Sequence, residues 1–414
     1  MGQLKMAWLN LLRNGRRSLL SVLIVSIAVF ALVSAGGFGL YTYHSLKEST
    51  ARDIGHITIS QPNYFEADEE MPLSNGLSDT SKLSSRLLLD DDVRAVQPRV
   101  YFSGLVSNGS KSSIFVGVGV NEREFDLKGP FLDVRSGKTL SSVNSTQYNP
   151  SEPQVMLGVD LARNLKLSVG DWVTLLSTTT DGALNAFDFK VRGTYSTGVP
   201  EMDKRQLYVH IQPAQELLGS DKVSTLSVFL YQTELTQTVM ERISGVLPQY
   251  EDLQKMSLTP WSERAFFYEK VKNLYDRIFS IMGAVMGLVV FVALFNTMTM
   301  SVTERTREIG TLSALGSYPS EIVTSFIHES TLLAVIGSLV GVLCSAMLTL
   351  FLLLVDVQMP PPPGRTESYP LNSIFSPELA LYATLGVTVI CVIAAYLSAR
   401  KGVKKPIIEA LIYV

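Results

Sequence analysis

Cysteine is almost missing from this sequence: Cys344 and Cys391 are the only two in 414 residues, and both lie inside long apolar runs. A disulfide framework is therefore not expected, and the two thiols read as packing or lipid-facing residues. Histidine is nearly as rare. His44, His56, His210 and His328 are scattered, and no two stand at metal-ligand spacing. Charged residues make up 18% of the chain, the net charge is −3, and no basic block interleaves with aromatics. Nucleic-acid binding is left without a footprint. No nucleophile elbow and no pair of catalytic carboxylates stands out. The tetrapeptide Ser136-Gly137-Lys138-Thr139 looks like the end of a phosphate-binding loop, but that pattern needs a glycine where Leu132 stands. The stretch 140–150 that follows, rich in Ser, Asn and Pro, does not open a helix. No catalytic residue, metal site or cofactor is expected, so energy has to come from a partner.

What the chain does have is apolar length, with a mean hydropathy of +0.22. A bilayer core about 30 Å thick needs roughly 20 apolar residues in a helix. Four segments meet that test, at 18–43, 278–302, 322–355 and 379–397. The first is too long for the apolar part of a cleaved signal peptide and reads as a retained anchor. Lys5, Arg13, Arg16 and Arg17 precede it, Arg305 and Arg307 lie between the second and third spans, and Arg400, Lys401, Lys404 and Lys405 follow the fourth. These positions put both termini and the 303–321 connection on the cytoplasmic side of an inner membrane, with 45–270 and 356–377 outside.

The third run, at about 50 Å, exceeds the bilayer. Its His328 and Glu329 therefore read as interfacial residues on an overhanging helix, with a functional buried glutamate as the alternative. Gly283 with Gly287, and Gly337 with Gly341, are small-residue pairs suited to close helix packing, within the bundle or between two copies. No span carries a charged residue at mid-depth, so a polar path through the bilayer is not expected.

The 45–270 segment reads as an α+β domain. Strands are expected at 56–59, 100–106, 113–120, 172–176, 187–191, 207–210 and 226–231, with a hairpin turn at Asn108-Gly109. Helices are expected at 160–164, 212–218 and 234–247, and 64–85 as a loop or lobe edge. Ser262 reads as the N-cap of a helix in which Phe267, Val271, Leu274 and Ile278 recur into the second span. That pattern suits either a lever or a static stalk. The fold class is thus an α-helical membrane protein with four transmembrane helices and a large α+β periplasmic domain inserted between the first and second. The segments are 1–44 (lead-in helix and first span), 45–270, 271–302 (second span), 303–321, 322–355 (third span), 356–377, 378–398 (fourth span) and a 399–414 tail.

The 303–321 connection is the most informative stretch. Residues 296–316, ending Thr303-Glu304-Arg305-Thr306-Arg307-Glu308-Ile309-Gly310-Thr311-Leu312-Ser313-Ala314-Leu315-Gly316, form a charged turn and a short amphipathic helix. Ile309, Leu312 and Leu315 are expected on one side of that helix, which Gly316 and Pro319 end. Such a helix suits the lipid surface. It also resembles the coupling segment of MacB/FtsX-type ABC transporter permeases. The lead-in around Asn10, Arg13, Arg17 and Ser18 is similar to that family's, as are Val155-Met156-Leu157-Gly158 and 191–203. So is the tail with Ala399, Arg400, Pro406, Glu409, Ala410 and Leu411. Gly198, Val199, Glu201 and Asp203, which with Met359 to Gly364 are the candidates for substrate or partner contact on the periplasmic side, resemble most the lipoprotein-releasing permeases LolC and LolE. The run Met359-Pro360-Pro361-Pro362-Pro363-Gly364 departs from them. A proline run is stiff and extended, and here it either borders a substrate entry or braces its loop.

The resemblance implies a non-catalytic permease subunit in which Glu304, Arg305, Arg307, Glu308, Ile309, Gly310, Leu312, Ala314, Leu315 and Gly316 dock on a separate ABC ATPase that holds ATP and magnesium. It implies a dimer with a second permease, identical or paralogous. It also implies contact with membrane lipid and with a periplasmic carrier or adaptor. Two readings stay open. One is an exporter that lifts a lipoprotein or other lipidic or periplasmic substrate off the membrane's outer face. The other is an FtsX-like transducer that activates a periplasmic partner without transport.

Overall fold

The structure is a computed structural model that describes residues 11, 13, 15–62, 64–65, 73–129, 132–143, 149–246, 256–355, 357–359 and 369–403. The chain forms two compact units, an inserted one built on Ser45–Lys270 and a helical one that includes Val271–Met359. The first helix, α1 (Gly15–Ile54), carries the earliest apolar run.

The inserted unit contains strands β1 (Ile57–Ser60), β2 (Val93–Ser107), β3 (Ser112–Val120), β4 (Asp133–Gly137), β5 (Gln154–Gly158), β6 (Trp172–Thr178), β7 (Leu184–Ser196), β8 (Gln206–His210), β9 (Thr225–Leu230) and β10 (Ser257–Pro260). Between them lie α2 (Ser81–Leu87), α3 (Arg123–Lys128), α4 (Val159–Asn164), α5 (Pro200–Asp203), α6 (Ile211–Leu218), α7 (Thr236–Val246) and, after β10, α8 (Trp261–Arg264).

The long strand β2 belongs to both halves of this unit. Its first half pairs antiparallel with β9 (Val96↔Val228), extending the order β10-β1-β9-β2. Its second half pairs with β3 (Tyr101↔Val118) on one side and β6 (Leu105↔Leu176) on the other. The order β3-β8-β5-β7 then returns through β6 to β2, which closes a barrel. Closure removes free strand edges there. β4 adds to β7, with Val134 opposite Tyr195. Alternate residues Phe102, Phe115, Val173, Leu175, Phe189 and Leu207 are buried within one core cluster, as the two-residue period of a strand requires.

Several elements depart from the sequence expectation. Residues 81–85, the end of the expected 64–85 loop, instead begin α2 because Leu83 and Leu87 insert into the core. Ser136 and Gly137 end β4, opposite Thr194 and Gly193, so the phosphate-loop lookalike is strand-edge backbone. The helix expected to start at Ser262 is instead α8, capped by Pro260 and closed at Ala265 before the next helix begins.

The helical unit adds α9 (Phe266–Glu304), α10 (Thr306–Ala314), α11 (Pro319–Leu354) and α12 (Pro377–Val403). Helices α1, α9, α11 and α12 are each long and apolar enough to cross a membrane. The fold expectation holds in outline: four such helices among the described residues, with an α/β domain between the first and second. Within this unit α11 meets α1 through Gly337 and Gly341. A Cβ on Gly341 would lie 2.6 Å from the Ser26 carbonyl, and one on Gly337 would lie 2.7 Å from Val25. Ser26 donates to the Gly337 carbonyl at 2.9 Å, and Ser34 bonds Ser345 at 3.0 Å. Gly287 only touches Ile390 and Gly283 faces nearly open space, so the two glycine pairs are not equivalent. Cys391 is buried and its carbonyl accepts from Ser330 at 2.9 Å; Cys344 is exposed.

Candidate functional site

The connection between α9 and α11 has a rigid inner half and an apolar outer half. Arg305 breaks the helix between α9 and α10, with φ −94° and ψ 14°. Its guanidinium turns inward to Glu329 of α11, donating at 2.9 Å to one carboxylate oxygen and at 3.4 Å to the other. Arg305 is 8% exposed and Glu329 5%. The Phe326 ring lies 5.9 Å below the guanidinium. A forked, charge-assisted pair of this kind fixes orientation as well as distance. Thr306 closes the break by donating to the carbonyls of Val302 and Thr303 at 3.2 and 2.7 Å.

The sequence places Arg305 among the docking residues and leaves Glu329 either interfacial or buried; the structure buries both, so Arg305 faces α11 rather than an outside partner and Glu329 takes the second of its two readings. The two charges neutralise each other inside the bundle. Positions 305 and 329 gave no separate signal, because their pairing depends on how α9 folds back on α11.

A second correction concerns α10. Ile309 is buried among Val302, Ile322, Phe326 and Ala399, and Gly310 is buried beside it. Leu312 and Leu315 are exposed, by 45% and 79%, rather than sharing Ile309's side. At roughly 100° per residue Leu315 sits about 120° from Ile309 around the helix, so the three cannot share one narrow face. Sequence reasoning also passed over Tyr318, which is 71% exposed.

The turn between α10 and α11 holds these outer residues in place. The Gly316 amide donates to the Ser313 carbonyl and the Ser317 amide to the Leu312 carbonyl, at 3.2 and 3.0 Å. This bonding, with Gly316 at φ +95°, is the paired closure that ends a helix on a left-handed residue. Pro319 then opens α11, and Glu321 accepts from the Tyr318 amide at 3.2 Å. Leu312, Leu315 and Tyr318 therefore project from a turn closed on both sides. Ala314 and Arg307 are exposed with them. Two ion pairs tie α10 and the end of α9 to the start of α1: Arg13 with Glu308 at 3.1 Å, and Arg17 with both oxygens of Glu304. Both are exposed and screened by solvent, so neither is a strong contribution to stability.

The external candidates occupy the β7–β8 connection. Asp203 is buried and fully engaged. One carboxylate oxygen accepts from Ser196 at 2.8 Å, and the other from the Thr197 amide and hydroxyl at 2.8 and 2.7 Å. Gly198 turns the chain at φ +73°, and the Asp203 backbone lies against Gly158, where a Cβ would strike it. The motifs at 155–158 and 198–203 are thus one folded unit, and Asp203 serves its closure. Val199 is half-buried. Glu201 is exposed and accepts from Lys204 at 2.9 Å, which holds its carboxyl below the usual range. Met359 ends a two-residue strand, Gln358–Met359, while Pro360, Pro361, Pro362, Pro363 and Gly364 lie outside the described residues. Among the described residues, no group of three His, Cys, Asp or Glu side chains forms a metal-binding cluster.

Comparison with known proteins agrees with this architecture. Residues 18–246 match the MacB-like periplasmic core domain, and residues 280–407 match the FtsX-like permease C-terminal domain. The macrolide export ATP-binding/permease protein MacB of Nitrobacter winogradskyi is 25% identical over 265 residues, covering 63% of this chain and 38% of the relative. The lipoprotein-releasing system transmembrane protein LolC of Neisseria meningitidis is 30% identical over 209 residues, 48% of each chain. An uncharacterised ABC transporter permease of Methanocaldococcus jannaschii is 25% identical over 417 residues, covering 98% of this chain and 96% of the relative. The chain spans about half or less of the MacB and LolC relatives. With the periplasmic core match covering more than half its length and the permease match most of the rest, the chain belongs to the FtsX-like ABC permeases that carry a MacB-like periplasmic core domain.

Proposed function

We propose that this chain is the membrane subunit through which a separate ABC ATPase drives the periplasmic domain to lift a lipoprotein or other lipid-bearing substrate off the outer face of an inner membrane. The ATPase docks on Leu312, Leu315 and Tyr318, and both chain termini lie on its side. A second permease copy completes the assembly. The observation that carries this reading is the outward apolar set on a helix whose inner side is anchored by Ile309 and the Arg305–Glu329 pair. Large apolar side chains held at a turn present a preformed contact, and preformed contacts lose little entropy on docking. Export rather than conduction follows from the spans, whose apolar runs carry no charged group at mid-depth. A lipid-bearing substrate accords with a relative named for lipoprotein release.

The test is reconstitution of the chain with its co-purifying ATPase in liposomes carrying a lipoprotein, read by ATP hydrolysis and by lipoprotein release. Leu315→Asp should abolish release at least tenfold while leaving the fold intact, because an exposed substitution changes stability by no more than about 0.5 kcal/mol. Normal release by Leu315→Asp would show that the ATPase docks elsewhere. ATP hydrolysis stimulated by the chain without any release would favour the transducer reading over export.

A further inference from the structure

The inserted unit contains a polar cavity of about 120 Å³ that the docking site does not involve. Its walls come from elements far apart in sequence. Asp53 and Ile54 end α1, Arg99 and Tyr101 lie on β2, Lys128 ends α3, Gln206 and Tyr208 lie on β8, and Arg264 ends α8. Arg99 is almost wholly buried and closes the last turn of α1, donating to the carbonyls of Asp53 and Ile54 at 2.7 and 2.8 Å. Glu124, fully buried, pairs with the same guanidinium. Lys128 donates to Asp53 and to the Tyr208 hydroxyl at 2.6 and 2.7 Å.

Arg264 completes the set and has no carboxylate partner among the described residues. It donates to the Thr58 hydroxyl at 3.1 Å and stacks over Phe65 at 4.2 Å. Three cations thus face two carboxylates, one net positive charge, in a partly buried space: Arg99, Glu124 and Lys128 are buried, while Asp53 reaches solvent. Charge beside buried groups is less screened than charge in open solvent, and it attracts a counter-ion. The Tyr101 phenol registers this field. Burial pushes it up, yet the adjacent Arg99 and Arg264 charges bring it below its ordinary value. The cavity is larger than a single water needs. Tyr101, Tyr208, Lys128 and Arg264 each retain donor capacity toward it. The Gln206 carbonyl oxygen is buried without a hydrogen-bond partner.

We infer that this cavity is a binding site for a phosphate group, with Arg264 as the principal counter-charge and Lys128, Tyr101 and Tyr208 as further donors. An arginine fork matches phosphate oxygens in pairs, and the neighbouring hydroxyls suit the remaining ones. The phosphate belongs either to a small soluble anion or to a lipid headgroup. The site stands independently of where an ATPase docks.

The experiment is calorimetric titration of the full chain in uncharged maltoside micelles with inorganic phosphate and, separately, with dihexanoyl phosphatidic acid. At least one probe should bind. Arg264→Gln should weaken that binding tenfold or more, and Arg264→Lys distinctly less. Arg264 touches the Thr58 hydroxyl, the Phe65 ring and the Tyr101 phenol, so melting of both variants is measured alongside, and binding lost at wild-type melting separates loss of the site from loss of the fold. Binding of both probes with competition, or tighter binding of the phosphatidic acid, assigns the site to a lipid headgroup. Binding of inorganic phosphate alone assigns it to a free anion. Absence of heat with both probes, or equal affinity in wild type and Arg264→Gln, overturns the inference.

Discussion

Replacing Arg305 with methionine tests whether the α9–α10 junction is held by a buried charge. The side chain is 8% exposed and its partner Glu329 is 5% exposed, so the variant strands a buried carboxylate that loses its forked partner. Breaking a buried pair by removing one partner costs about 3–5 kcal/mol, most of it the burden of the charge left behind. The lost guanidinium–Phe326 contact adds up to about 1 kcal/mol. The double variant Arg305→Met, Glu329→Met removes both charges and fills the space with apolar atoms. It should recover most of the loss, leaving stability within about 1 kcal/mol of wild type. The four proteins form a double-mutant cycle, read by thermal unfolding in micelles and by hydrogen exchange at the 306–316 amides. By contrast Arg17→Ala, at an exposed, solvent-screened pair with Glu304, should leave melting close to wild type. A single variant that costs no more than Arg17→Ala, or a double variant no better than the single, would refute the reasoning.

Three further outcomes follow from geometry already described. Gly316→Ala, at φ +95°, should destabilise the α10–α11 turn by about 1–2 kcal/mol, visible as faster exchange of the Ser317 amide; unchanged exchange would count against the turn closure. Gly341→Ala, whose methyl would meet the Ser26 carbonyl, should cost roughly 1–3 kcal/mol, whereas Gly283→Ala should be neutral, and equal melting of the two would contradict the packing of α11 on α1. The third outcome concerns pH. Burial lowers both His56 and His210 to about 4, and in His56 the Nδ1 atom accepts from the Leu230 amide and so must be unprotonated. The unfolded chain binds these protons near pH 6.5, so it holds more protons than the folded chain between about 6.5 and 4. Stability should therefore fall on acidification through that window, by roughly 2 kcal/mol per histidine between pH 7 and pH 5. Exchange at the β9 amides reads this, and the same protection at both pH values would exclude it.

How much of this was legible beforehand depended on whether the signal was local. The four apolar runs and the alternation in β2, β3 and β9 are consequences of burial along one element, and they read directly from sequence. The barrel did not, because its closure rests on β6 pairing with both β2 and β7, and no residue announces its neighbour across a sheet. α2 was missed for a related reason. Leu83 and Leu87 are too few to show a helical period, and they become helical by covering a core formed elsewhere. The external motif at 198–203 was found, but not the structural part that Asp203 plays in it. An aspartate in a glycine-containing turn looks the same in sequence whether its oxygens are free or spent, and here Asp203 accepts three hydrogen bonds.

The connection between α9 and α11 shows where such reading fails and why the failure is informative. Polarity alone would place Arg305 and Glu329 in water and Leu312, Leu315 and Tyr318 out of it. The structure does the reverse on both counts. Burying two charges gains little stability over an apolar pair, so the arrangement is better explained by geometry: a forked pair admits one alignment of α10 against α11, where methionine and leucine would admit several. Exposing three large apolar side chains beside that alignment makes sense only if something covers them. Fixed orientation and uncovered apolar surface are the two properties a docking element needs together. The double variant at 305 and 329 separates them. It should fold nearly as stably as wild type yet hold α10 less uniquely, so hydrolysis and release should come apart in it while Leu312, Leu315 and Tyr318 remain in place. A double variant that folds and still couples fully would show that orientation by this pair is not required.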